Sequence, residues 1–421
     1  MSLLHDGADW SKRLEQTVTV LIGLFVFFTP FPHTTAIKEM TFYLPLAGML
    51  VLALSKKRVF SWATPLTMPF AVLAAWSAVG LLFALDRPNT FHDILSHLLK
   101  YYAVYFLVVQ FYSSQKGFDT LARIIVASTA LFSVGAIVYY YPVLGHSFSE
   151  RLGHSGRFSF FEMSANYMGF VTVFAALLSM NQFFKEDHRA LKALLALCFI
   201  ATVTATLLTQ TRGAVIALVL AVILFAVSNR RGLVIAVLLP VLIAAVIFAS
   251  TGSRERFSVK SMQSNERIGI VLMYLEMIKE HPVKGIGFGM ELLQKKEFMT
   301  PYYERVPEAD RDPGFHVSPH NFYLDVTVRL GVVGLLLYLG IIFTAFRMTW
   351  QSRGSSAEST DRSDTLCLAA SFGAVLVQSI FADASFGAPA TVFYLHLAMI
   401  TILWRTARMV GASPSPAGGN P

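Results

Sequence analysis

His320 stands at the mouth of a long apolar run, in SPHNFYLDVTVRLGVVG (residues 318–334). Ser318 and Pro319 suit the cap and first position of a helix, which places His320 in the first helical turn. The positive end of the helix dipole disfavours imidazolium there and holds the ring neutral. A neutral imidazole in that position suits a general base. The blander alternative is a histidine that only hydrogen-bonds at an interface.

Arginines supply the complementary chemistry. Arg212 lies in TQTRGA (209–214), a turn between two apolar runs. Half-burying a guanidinium there is costly unless it meets an anion or a carboxylate. Its fork of donors suits a phosphate, and snorkelling to lipid headgroups is the competing reading. Arg267 opens an amphipathic stretch beside Glu266, placed for an anion or for pairing with a nearby acid. Arg151 and Arg157 add two cations in SERLGHSGRF (149–158). Several arginines on one face point to a polyanionic ligand such as a diphosphate.

Other motifs carry less. HVSPH (316–320) sets two histidines four apart, but Pro319 interrupts the helix that would align them and no Glu lies between. Zinc is therefore not expected there, nor any metal or cofactor. DRD at 310–312 has no α/β domain around it, and GIGFG at 285–289 follows no predicted strand, reading as a turn after a helix. Asp325 and Arg329, four apart on one helix, are placed to neutralise each other. Asp383 shows no partner in the sequence.

The scaffold that must position these residues is membrane-grade. Of 421 residues, 55% are hydrophobic and 14% charged, against about 25% charged in soluble domains. The mean hydropathy is +0.56. The net charge of +8 is not a nucleic-acid signal, because the Lys and Arg cluster in short loops between apolar runs. Cys198 and Cys367 both fall inside such runs, so no disulfide framework is expected. The polar N-terminal stretch is too long for a cleavable signal peptide.

Apolar runs recur near 14–31, 38–55, 65–85, 97–112, 119–141, 165–184, 190–208, 213–228, 232–250, 321–346, 365–384 and 389–404. Each is long enough to cross ~30 Å of hydrocarbon, which predicts about twelve transmembrane helices. With both termini cytoplasmic, every inner loop carries Lys or Arg, and Trp10, Trp62, Trp350 and Trp404 fall beside the inner ends. The organisation is then 1–250, helices one to nine; 251–320, one large outer segment; 321–408, helices ten to twelve; and 409–421, a flexible cytoplasmic tail. The outer segment has ten basic and ten acidic residues. Within it Ile268, Val271, Leu272, Leu275 and Ile278 are spaced like one helical face, ended by Pro282.

His320-Asn321, nine residues, Gly331, two residues and Gly334 resemble the His-Asn-x9-Gly-x-x-Gly element of the O-antigen ligase family. That family includes O-antigen polymerases and bacterial protein O-oligosaccharyltransferases. TQTRGA is similar to its Ser/Thr-Arg-Gly turn, and NER…HPVKGIGFG to its Arg-led helix ending in His-Pro-x-x-Gly-x-Gly. The motifs occur in the family's order over residues 209–334.

The resemblance implies an inverting, metal-independent glycosyltransferase of the GT-C type at the periplasmic face of the bacterial inner membrane. Its donor would be a glycan on undecaprenyl diphosphate and its acceptor a hydroxyl of lipid A–core. His320 would be the general base, Arg212 and Arg267 would hold the diphosphate, and Asn321 and Arg157 would contact substrate. Gly331 and Gly334 would let a neighbouring helix pack closely. A ligase is favoured over a polymerase by the large outer segment just before the His-Asn helix. A protein O-oligosaccharyltransferase with the same donor is the next alternative. A twelve-helix transporter is more distant, since polar residues gather at one face rather than at the midplane of two related halves.

Overall fold

The computed structural model describes residues 3–153, 159–228, 265–355 and 359–411, and among these the regular structure is helical. Helices stand at eleven of the twelve apolar runs, while the run at 232–250 lies outside the described residues. In chain order they begin α1 (Leu3–Phe28), α2 (Thr35–Leu54), α3 (Thr67–Gly80) and α4 (Arg87–Asp93). A π-helical turn (Ile94–Leu99) carries α4 into α5 (Lys100–Phe111), followed by α6 (Gln115–Val138), α7 (Ala165–Lys185), α8 (Arg189–Leu208) and α9 (Arg212–Ser228). The segment bearing α10 (Asn265–Glu280) and α11 (Lys296–Arg305) precedes α12 (Phe322–Ser355), α13 (Ser359–Gln378) and α14 (Gly387–Gly411).

Seven helical stretches among the described residues are long and apolar enough to cross a membrane, and two shorter apolar helices join them. The chain is an all-α polytopic membrane protein. α7 is its axis, buried without interruption from Met168 to Gln182. A helix apolar all round finds its partners on every side. Its hydroxyls are satisfied locally: Thr172 donates to Met168 O at 2.9 Å, and Thr206 of α8 donates to Thr172 Oγ1 at 2.8 Å. Outer positions such as Leu50, Leu197, Ile200 and Phe343 stay exposed. That is the expected arrangement when lipid, not water, is the solvent.

A second, smaller core lies at one end of the bundle. Ile270, Met273, Tyr274 and Met277 of α10 pack with Ile286, Leu293, Met299, Tyr302 and Val306, and with Val328 of α12. The helix is where its periodicity puts it, but its buried face is turned from the predicted one: Leu272 and Ile278 still pack against this core. Ile268, Val271 and Leu275 are exposed. Both faces are apolar, and the choice falls to the one carrying Tyr274, whose hydroxyl donates to Val317 O at 2.8 Å and so binds α10 to the loop before His320.

The glycines of the two family-like motifs explain each other. The α12 backbone breaks at Gly331 (φ 69°, ψ −176°), freeing carbonyls of the preceding turn. The 282–287 segment takes them up: Ile286 N donates to Val328 O and Gly287 N to Arg329 O, both at 3.0 Å, while Val332 N donates to Pro282 O at 2.8 Å. Trp76 Nε1 donates to Leu330 O at 2.9 Å. Gly285 and Gly331 have φ near 68° and 69°, and a Cβ on either would collide with the other segment's backbone. The sequence predicted helix–helix packing at Gly331 and Gly334. What arrives at Gly331 is the turn of residues 282–287, and Gly334 packs against Leu330 of its own helix.

Candidate functional site

His320 lies at the same end as the smaller core, and not within a helix. It is half-buried in a bend, with a left-handed backbone (φ 46°), and α12 begins two residues later at Phe322. The expected Ser318 cap is therefore displaced. Asn321 caps the helix, accepting from Leu324 N at 3.0 Å through Oδ1. Both residue types cap well. The register is decided by Phe322 N, which donates to Ser379 O at 2.9 Å and ties the first turn to the end of α13.

Histidine is among the few residues that tolerate this conformation. Gln210 (φ 49°) and Phe315 (φ 44°) share it in neighbouring loops. Such strain costs about 1–3 kcal/mol per residue and persists where the surroundings enforce it, often at functional sites.

The imidazole of His320 binds a proton less readily than an ordinary histidine. Burial is the main cause, followed by the electrostatic influence of Arg267, His316 and Arg151. The ring is thus held neutral by desolvation and by neighbouring arginines, rather than by the dipole of a helix it does not belong to.

Arg267 lies in the first turn of α10 and is exposed. Gly269, two residues on, lets α10 approach the backbone of residues 310–312 so closely that a Cβ there would fall 2.8 Å from Asp312 N. Arg151 is braced from the other side: its Nε donates to Thr209 O at 2.8 Å, and its Nη2 reaches Asn166 Oδ1 and Thr211 Oγ1, each at 3.0 Å. Leu152 N to Leu208 O at 2.9 Å and Gln210 Nε2 to Ser149 O at 3.0 Å close the same loop onto the turn. Arg212 follows as the half-buried first residue of α9. Gly213 beside it lets the turn seat on Phe381, where a Cβ would lie 2.8 Å from the Phe381 Cβ.

The 379–381 turn therefore touches both the start of α9 and the start of α12. His320, Arg267 and Arg151 are brought together electrostatically, and Arg212 directly follows the turn that Arg151 braces. Arg157 lies outside the described residues.

Beneath this layer Arg329 and Asp325 are buried partners, Nε to Oδ2 at 2.9 Å. Arg329 also donates to Phe288 O at 3.0 Å and to Ser385 Oγ at 2.7 Å. Asp383, without a partner in the sequence, accepts from Ser385 N at 2.8 Å. Asn89, Thr90 and Asp93 of α4 hold the backbone N–H groups of Glu291, Gly289 and Met290. Sequence reasoning missed Arg151 as a brace and set Asp312 aside as part of the DRD match. Asp312 is buried and accepts from His316 Nδ1 at 2.9 Å, and the signal that marks it is the Asp-Pro-Gly turn.

Comparison with known families is decisive at this point. The O-antigen ligase family matches residues 196–339, a stretch that holds Arg212, Arg267, His320, Gly331 and Gly334. This segment belongs to the O-antigen ligase family. No curated protein matches the chain. Within the O-antigen ligase segment, the interlocked glycines and the bracketed histidine are two consequences of one arrangement. The 282–287 strip fixes α10, and with it Arg267, against the helix that His320 precedes.

Proposed function

We propose that this protein is an O-antigen ligase, moving a glycan from undecaprenyl diphosphate to a hydroxyl of lipid A–core at the periplasmic face of the inner membrane. The observation that carries the reading is the half-buried His320, kept neutral and flanked by cations at one end of a membrane bundle. Neutral His320 takes the proton of the acceptor hydroxyl. The hydroxyl oxygen attacks the anomeric carbon opposite the diphosphate, which leaves with inversion. Arg212 and Arg267 bind the diphosphate and stabilise its growing charge, a role that cations can fill without a metal. Arg151 supports Arg212 by holding its turn. Asn321 contributes by capping α12. The positive-inside rule puts the opposite end, rich in basic loops, in the cytoplasm.

The test is glycan transfer by the purified protein in lipid nanodiscs, given undecaprenyl-diphosphate glycan and lipid A–core, beside a His320→Asn variant. Asparagine tolerates the left-handed backbone and removes the base. Transfer by the wild type and not by the variant supports the ligase. Lengthening of the donor glycan without transfer to lipid A–core would instead make the protein a polymerase. Full activity of the variant would sink the mechanism.

A further inference from the structure

The proposed reaction leaves unused two lysines on the membrane-facing side of the same end of the bundle. α5 follows from α4 and its π-helical turn, and α4 holds the backbone of residues 289–291, so Lys100 at the start of α5 lies at the His320 end. α2 begins at the same level, because Lys100 Nζ meets Glu39 Oε1 at 2.5 Å. Lys38, the residue before Glu39, is half-buried, and its Nζ donates to Phe31 O at 2.7 Å in the turn joining α1 to α2. Among the described residues no carboxylate meets Lys38. An ammonium has three donors, and a charge near the start of a membrane helix is costly without a counter-charge.

Below the two lysines an apolar cleft runs between three helices. Ile22 and Phe25 of α1, Thr41 and Phe42 of α2, and Val104 and Val108 of α5 line it. Thr41 and Phe42 lie three and four residues after Lys38, and Val104 lies four after Lys100. Each lysine therefore tops the wall that its own helix supplies. Lys100 Nζ also sits 5.3 Å from the centre of the Phe42 ring. The Thr41 hydroxyl is spent on Ile37 O at 2.6 Å, so the walls behave as hydrocarbon. Beside the cleft, Met40, Tyr43 and Leu44 are exposed on the outer side of α2. The charges at the mouth do not balance: Glu39 neutralises Lys100, and the ammonium of Lys38 is left as a surplus.

We propose that the mouth formed by Lys38 and Lys100 binds the phosphate of an anionic phospholipid, with an acyl chain laid against the cleft between α1, α2 and α5. Apolar walls within the hydrocarbon layer suit an acyl chain. One surplus ammonium at the headgroup level matches the single charge of a phosphodiester. A diphosphate carries more charge and calls for more than one free cation. Lysine suits the headgroup because its flexible stem carries a compact charge out of the hydrocarbon. A lipid bound there holds the start of α5 and, through α4, the backbone of residues 289–291. No glycan transfer enters the inference, so it stands apart from the ligase reading.

The experiment titrates the full-length protein in detergent with phosphatidylglycerol or phosphatidylcholine, read by native mass spectrometry and by melting temperature. The variants are Lys38→Gln, Glu39→Gln, which frees Lys100, and Lys57→Gln in the exposed loop beyond the far end of α2. The wild type is expected to bind phosphatidylglycerol about fivefold more tightly than phosphatidylcholine, the scale of one lysine at a membrane surface, and to melt higher with it. Lys38→Gln should lose that preference, Lys57→Gln should keep it, and Glu39→Gln should strengthen it. The Glu39→Gln arm keeps the test open should Lys38→Gln fail to fold, since an unchanged or weaker preference there would overturn the site. So would a wild-type preference in Lys38→Gln. Equal loss in Lys57→Gln would replace the site with diffuse surface charge. Displacement of the lipid by glycerol 3-phosphate would make it a free-phosphate site and overturn the proposal. One-for-one displacement by undecaprenyl-diphosphate glycan would give the cleft to the donor and overturn it too.

Discussion

The two ends of the bundle handle charge in opposite ways. At the end remote from His320, Lys185 meets Asp119 and Asp364, each at 2.8 Å. Asn181 and Gln115 donate to Asp364 at 2.6 Å, and Gln182 donates to Asp119 at 3.1 Å. Each carboxylate there is met by a cation and by amides, and the cluster staples α6, α7 and α13. At the His320 end, Arg267, His316 and Arg151 all make the imidazole a poorer home for a proton. A balanced network holds a structure together and asks nothing more of its surroundings. Guanidinium groups beside a neutral imidazole suit an arriving anion.

The largest expected effect separates the two ends by activity. His320→Asn should cut transfer by about 10²–10⁴-fold while the melting temperature stays at the wild-type value. Asp364→Ala should do the reverse, lowering stability by about 3 kcal/mol because buried Lys185 loses a partner. Its transfer rate per folded molecule, measured below the melting transition, should match wild type. If Asp364→Ala instead abolished transfer with the fold intact, the contrast between the ends would be broken.

Smaller effects sharpen the same contrast. Arg267→Gln should raise KM for the diphosphate donor about tenfold, the usual scale for one charge-assisted contact. It should also move the pH profile. The active form of His320 is neutral, so kcat/KM rises with pH and levels off above the imidazole pKa, which lies below the ordinary 6.5. Removing a cation makes imidazolium less unfavourable and raises that pKa, so the acid limb should shift to higher pH. A shift to lower pH would show that Arg267 does not act on the ring. The smallest effect is at Asn321: alanine should cost about 1 kcal/mol of stability and serine should restore most of it. If both variants instead raised KM equally, Asn321 would be a substrate contact rather than a cap.

Much of this was legible in the sequence because lipid imposes simple rules. Among the described residues, runs of apolar residues became helices within a few positions, since unsatisfied backbone is not tolerated in hydrocarbon. Asp325 and Arg329 paired as their spacing required. Details set by chain segments distant in sequence were not legible. Ser318 lost the cap to Asn321 because Ser379 offers a carbonyl to Phe322. The buried face of α10 was chosen by Tyr274 and its contact with Val317. Gly331 looked like a helix-packing glycine, and nothing local announced that residues 282–287 would lie against it. Asp312 seemed a chance acidic match until the Pro313-Gly314 turn brought His316 onto it.

The contact between Gly285 and Gly331 works like a keyway, a slot whose fit is defined by missing material. Neither residue contributes a side chain to it, so neither can be tuned by small steps: any added atom pushes one segment off the other. The stretch from residue 290 to 310 hangs from this fixed point and carries α11, whose Met299 and Tyr302 close the smaller core. The outer face of α11 is therefore open to sequence drift, while the seam between residues 282–287 and α12 stays locked by two absent methyl groups.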